Sequence, residues 1–167
     1  KAVIHRPCEG RIKNVTVTRT KSGRYLVAVQ VEMDIPEPQP ITSAPVGIDL
    51  GVTSFLVTSD GVSIAAPQYL LKAQDQLARL QKKLSRCQMG SHGREKVRYQ
   101  LARQHERIAS QRLNFLHKTS RWLVDTYGLI GIEDLNVSGM IHNRHLSRAI
   151  SDAGWGELRR QLVYKGE

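Results

Sequence analysis

The hydrophobic period changes several times along the chain, and each change marks an element. In residues 11–34 it is two: Val15 and Val17 alternate with Thr16 and Thr18, and Tyr25, Val27, Val29 and Val31 share one face of a return run. With Lys21-Ser22-Gly23 between the runs, this predicts a β-hairpin. Two strands are marginal alone, so the unit must pack on something, as the last strands of a barrel would. Residues 36–45 (PEPQPITSAP) hold four of the six prolines and read as a stiff, extended linker, where we place a domain boundary. Short apolar runs then follow at 46–50, 55–58 and 62–65, with Ser59-Asp60-Gly61 as a hairpin turn, which predicts a three-stranded meander.

The period then becomes helical. Leu70/Leu71, Leu77, Leu80 and Leu84 stripe one segment, and Gly90-Ser91-His92-Gly93 breaks it. From 94 to 127, Leu101, Ile108, Phe115 and Trp122 recur seven apart, with Val97, Leu116 and Leu123 alongside. Residues 69–127 are thus expected to form an antiparallel helical hairpin with one apolar seam, whose aromatics read as core rather than base-stacking groups. The run Gly128-Leu129-Ile130-Gly131-Ile132-Glu133-Asp134-Leu135-Asn136 follows a long helix and reads as a strand parallel to the first meander strand. In the tail, Arg144 and Arg148 are basic, Ser151 or Asp152 is a helix cap, and Trp155, Leu158 and Leu162 line an amphipathic face.

Charge sharpens this picture. There are 25 Lys+Arg against 15 Asp+Glu, a net charge of +10. Residues 69–121 hold 13 basic residues and three acids (Asp75, Glu95 and Glu106), so that segment carries the whole excess. Solvated helix faces usually mix signs. Arg79, Lys82, Lys83, Arg86, Arg94, Lys96, Arg98, Arg103, Arg107 and Arg112 read better as a nucleic-acid-binding surface. The basic residues of the first hairpin (Arg11, Lys13, Arg19, Lys21 and Arg24) read first as protection of strand edges. Cys8 and Cys87 stand far apart with no metal-ligand spacing, and no run of about 18 apolar residues exists. A soluble intracellular protein is expected.

The candidate chemistry begins at Asp49. Val46, Ile48, Leu50 and Val52 make its strand read as buried, with Gly47 and Gly51 flanking the acid. A buried carboxylate is costly unless it is paired or binds a cation. Glu133 falls near the end of the strand expected to run parallel, where α/β sheets place ligand sites. The two acids are 84 residues apart in sequence and converge if their strands are adjacent. Converging carboxylates suit Mg²⁺ or Mn²⁺ in a two-metal nuclease. Such sites typically use a third acid. Asp60 in a turn and Asp152 at a helix start do not end a further strand, so the third is not evident.

The segments VGIDLGVTSFLVTSDG and IGIEDLNVSGM, the basic helical hairpin between them and the closing AISDAGWGELRRQLVYKGE resemble the TnpB (OrfB) proteins of bacterial transposons. These are known as transposases and are similar to RNA-guided type V CRISPR nucleases. EGRIKNVTVTRTKSGRYLVAVQVE is similar to the end of that family's wedge β-barrel. The resemblance implies an α/β fold class: an RNase H-like (RuvC) mixed sheet with an inserted long basic helical hairpin, preceded by a β-hairpin from a partial β-barrel. Residues 1–35 would be the end of the wedge, and 46–167 the nuclease domain. Asp49 and Glu133 would be the first and second catalytic, metal-holding acids, with DNA and guide RNA as partners. Family members continue with a four-cysteine zinc ribbon and a third Asp. Neither follows Glu167 here, so an internal, inactive fragment without zinc ligands is expected. Two rivals stay open. GIDLGVTS also resembles the first phosphate loop of actin/Hsp70/sugar-kinase ATPases, and the acids would also fit a catalytically inactive nucleic-acid-binding module.

Overall fold

The computed structural model describes residues 7–34, 43–135, 139 and 147–166. Linker residues 36–42, Asn136, Arg144 and the Arg148 side chain lie outside the described residues.

The N-terminal hairpin forms as expected. Strands β1 (Arg11–Arg19) and β2 (Tyr25–Glu32) pair antiparallel, with Val15 opposite Val29 and Val17 opposite Val27. Gly23, at φ +82°, closes the turn by donating its amide to the Thr20 carbonyl at 3.0 Å. Neither face is covered: Val17 is 63% exposed and Tyr25 65%.

The second sheet contains β3 (Pro45–Leu50), β4 (Ser54–Thr58), β5 (Ser63–Ala65) and β6 (Leu129–Ile132), in the order β5-β4-β3-β6. The first three form the antiparallel meander, and β6 joins β3 in parallel. A parallel partner needs a long crossover. Helices α1 (Tyr69–Arg86) and α2 (His92–Thr126) supply it, the second spanning roughly 50 Å at 1.5 Å per residue. They run antiparallel: the Tyr69 ring stands 6.4 Å from that of Phe115, while Arg94 donates to the Leu84 carbonyl at 2.8 Å. Helices α3 (Ser147–Ala153) and α4 (Trp155–Gly166) follow, divided by Gly154 at φ +72°.

The core lies on one side of the sheet. Ile48, Leu50, Phe55 and Leu56 meet Leu116 and Leu123 of α2 and Ile150, Trp155, Leu158 and Leu162 of α3 and α4. Phe55 and Phe115 pack edge to face at 4.8 Å, as expected of core aromatics. Two polar side chains are fully buried between α2 and α4. The Ser120 hydroxyl donates to Gln161 Oε1 at 2.9 Å and accepts from Lys165 Nζ at 2.7 Å, and Gln161 Nε2 donates to Glu157 at 2.9 Å. Satisfied polar pairs of this kind fix how one helix seats on the other.

Three expectations are corrected. Asp49 is exposed, because β3 buries only Val46, Ile48 and Leu50 and turns its alternate residues outward. Leu71 is 61% exposed and leaves the α1 stripe to Leu70, Leu77, Leu80 and Leu84. Asp152 lies inside α3 and caps no helix of its own. Its carboxylate instead accepts from the Leu70 amide and from Arg112, both at 2.9 Å. Gln68, at the left-handed start of α1, offers no side-chain cap, so Asp152 supplies one across space. Among the described residues no helix is long and apolar enough to cross a membrane.

Candidate functional site

The parallel register pairs Gly47 with Gly131 and Ile48 with Ile132. Asp49 and Glu133 are the next residues on the two strands, so the register carries them to neighbouring positions just past its last pair, at the carboxyl ends of β3 and β6. Both are exposed. Neighbouring strands are about 4.8 Å apart, close enough for both carboxylates to reach one ion. On the outward face that carries them, Gly47 and Gly131 stand in register two residues before the acids and leave a bare strip between the Val57 side chain opposite Asp49 and the exposed Leu129. A backbone or ligand can approach such a floor closely. Gly51 is more tightly constrained. An added Cβ there would stand 2.8 Å from the Ser54 carbonyl oxygen, so only glycine admits the tight β3–β4 turn beside Asp49.

No third acid joins the pair among the described residues. Asp60 accepts from the Thr58 hydroxyl and, at 2.6 Å, from the Tyr127 hydroxyl. These bonds hold its carboxyl below the ordinary value and push the Tyr127 phenol up. Asp60 therefore ties the β4–β5 turn to the end of α2. Asp152 is occupied at α1 and Arg112, and Asp134, next to Glu133, pairs with Arg159. Cys8 and Cys87 are free, and among the described residues no group of three or more His, Cys, Asp or Glu could hold a metal ion. Asp49 and Glu133 offer the hard oxygen donors that Mg²⁺ or Mn²⁺ prefers, two of the six ligands an octahedral ion needs.

The basic hairpin divides into two sets. Arg79, Lys82, Lys83 and Arg86 are exposed on one face of α1, and Lys96, Arg103 and Arg107 on one stripe of α2. None of these seven is in an ion pair among the described residues. Arg98 is exposed but pairs with Glu95 at 3.2 Å. Arg94 and Arg112 are corrected from the expected surface. Arg94 binds the carbonyls of Leu84 and Cys87, closing the end of α1. Arg112 pairs with Asp152 while its Nε is buried without a partner. Their spacing is the legible signal. Arg94 is seven residues before Leu101, and Arg112 sits four after Ile108 and four before Leu116, so both belong to the apolar stripe. The same spacing adds an exposed residue that the charge pattern alone did not single out, Lys118, eleven beyond Arg107 on the outer stripe.

Similarity to known proteins bears on both features. A family model described as a probable transposase, OrfB_IS605, matches residues 27–144, which include both acids and the whole helical hairpin. A Streptomyces pristinaespiralis protein named "Putative RNA-guided DNA endonuclease" is 44% identical over 151 residues, covering 90% of this chain and 37% of that protein. The similarly named InsQ of Escherichia coli K12 is 34% identical over 175 residues, 96% of this chain and 43% of the relative. A Mycobacterium tuberculosis H37Rv relative of the same description is 30% identical over 171 residues, 94% of this chain and 37% of the relative. The chain spans about two fifths of the length of the curated relatives it matches.

Proposed function

The chain belongs to the OrfB_IS605 family of probable transposases, and on that footing we propose that it is part of a transposon-associated, RNA-guided DNA endonuclease. In this reading residues 46–167 belong to an RNase H-like (RuvC) nuclease domain, and residues 1–35 to the end of a wedge-like barrel. The uncovered faces of the β1–β2 ribbon support the second assignment, since a ribbon of this kind needs a neighbour.

The observation that carries the reading is the β3–β6 register, with Asp49 and Glu133 at neighbouring positions on an open, glycine-floored face. Asp49 and Glu133 would hold Mg²⁺ or Mn²⁺, which supplies an activated water and neutralises charge on the leaving oxygen. The glycine floor admits a phosphodiester backbone to the acids, and Gly51 keeps the β3–β4 turn clear of the approach. The exposed cations of α1 and α2 bind the phosphates of guide RNA and target DNA, which fits backbone tracking rather than base reading. With only these two acids brought together among the described residues, residues 1–167 alone are expected not to cut.

The test uses a longer protein that carries the downstream residues. Cleavage of DNA should require Mg²⁺ or Mn²⁺, and Asp49→Ala and Glu133→Ala should each abolish it while leaving nucleic-acid binding in place. Full cutting by either variant would end the nuclease assignment.

A further inference from the structure

Glu106 is one of only three acids in the basic segment, and it is bound by the turn of the β1–β2 ribbon. The Ser22 hydroxyl donates to one of its carboxylate oxygens, and Arg24 donates to the other at 2.9 Å. Thr20 Oγ1 stands 2.9 Å from Ser22 Oγ and accepts from the Arg24 amide at 3.1 Å. Gly23 lies over Tyr99, with an added Cβ 3.5 Å from the ring. Ser22 is 3% exposed, in a ribbon whose strands are almost wholly exposed. An isolated surface ion pair does little. Here two bonds close as a clamp on one carboxylate, and Thr20 braces both of the donor residues.

Its place on α2 matters. Arg103 is one helical turn from both Tyr99 and Glu106, so the clamp sets the ribbon turn, with Lys21 and Arg24, beside the outer basic stripe. We propose that Glu106 is a positioning residue that fixes the angle between ribbon and helix, joining their basic side chains into one surface for a nucleic-acid duplex. This rests on the nucleic-acid reading above. Two rigid basic walls at a set angle suit a rigid cylinder, whereas a flexible single strand needs no set angle. Among the described residues the basic faces of α1 and α2 also carry no exposed Phe, Tyr or Trp on which unpaired bases would stack, and the ribbon exposes only Tyr25.

Electrostatics and the clamp predict opposite signs for one substitution. Glu106→Ala removes a negative charge from a basic surface, which by charge alone would tighten a polyanion. If the clamp sets the surface, the same change weakens it. The measurement is fluorescence anisotropy of a labelled RNA–DNA duplex with the 167-residue chain, repeated across salt concentrations. Glu106→Ala should bind the duplex about five- to ten-fold more weakly, with the salt slope smaller by about one to two. The same DNA strand unpaired should change far less. Ser22→Ala changes no charge and should weaken duplex binding in the same direction, and it carries the test if Glu106→Ala loses its circular dichroism spectrum. Unchanged or tighter duplex binding by a folded Glu106→Ala protein, or by Ser22→Ala in its place, overturns the proposal. An equal loss on duplex and single strand overturns the duplex assignment. Absence of duplex binding by the unsubstituted chain instead removes the nucleic-acid reading itself, and the proposal with it.

Discussion

Asp152 makes a quantitative test of how the helices are held. Its carboxylate caps α1 through the Leu70 amide at 2.9 Å and pairs with Arg112 at 2.9 Å, the two side chains being 9% and 28% exposed. Losing a cap costs about 1 kcal/mol. Stripping the partner from a fully buried charge costs about 3–5 kcal/mol, but Arg112 keeps partial access to water, so about 1–2 kcal/mol applies. Asp152→Ala should therefore destabilise the chain by about 2–3 kcal/mol. Asp152→Asn keeps an acceptor for the Leu70 amide and loses only the charge, so about 1–2 kcal/mol is expected. Urea unfolding followed by far-ultraviolet circular dichroism measures both, provided the slope stays constant. Combining Asp152→Ala with Arg112→Met should recover about 1 kcal/mol or more of coupling. An Asp152→Ala protein within about 0.5 kcal/mol of the parent, or Asn as costly as Ala, would refute the reasoning.

Glu157 is held at about 2, below the ordinary 4.5, chiefly by hydrogen bonds from Arg160 and then from Gln161. A depressed carboxyl adds stability above its unfolded value and loses it as pH falls through the folded one, so the window runs from about 4.5 down to about 2. Glu157→Gln should cost about 1 kcal/mol at pH 7, given screening of this partly exposed pair, and the difference should vanish near pH 2; a pH-independent cost refutes it. Gly51→Ala should cost about 1–3 kcal/mol because its methyl meets backbone, whereas Gly156→Ala, with no atom within 4 Å, should be neutral or slightly stabilising in the same melt. Reversing charge at Arg79, Lys83, Arg103 and Arg107 should weaken nucleic-acid binding and flatten its salt dependence, and an unchanged slope would count against the surface. Changing Arg94 or Arg112 should instead lower stability.

Much of this architecture was legible because its signals are periodic. The seven-residue spacing of Leu101, Ile108, Phe115 and Trp122 locates α2, and a short apolar run after that helix is enough to place β6 beside β3 in parallel. The exposure of Asp49 was also legible in principle: Val46, Ile48 and Leu50 alternate with Gly47, Asp49 and Gly51, so the acid shares its face with glycines rather than with the core. Asp152 and Glu106 were not legible. Each binds a residue more than 80 positions away, Leu70 and Ser22 respectively, and nothing local marks an acid as a distant cap or clamp. The corrected arginines fall between these cases, since charge argued for the surface while the stripe argued for the interior.

The rival phosphate-loop reading turns on the segment after Asp49. Loops that cradle phosphate present free backbone N–H groups. Here the Gly51 amide is donated to the Phe55 carbonyl at 3.3 Å, and the Ser54 carbonyl fills the space where a Gly51 side chain would stand, so the turn is closed on itself. A bound nucleotide also buries its base in a concave pocket, whereas Asp49 and Glu133 sit exposed on a sheet face floored by Gly47 and Gly131. The cations argue for a polymer as well. From Lys96 to Lys118 the outer stripe of α2 covers 22 residue steps, roughly 33 Å at 1.5 Å per residue. That is about the length of ten phosphates along one strand of a duplex, far beyond the reach of a single triphosphate. A face that admits a backbone to two acids and a cationic stripe of that length together favour a nucleic acid over a nucleotide.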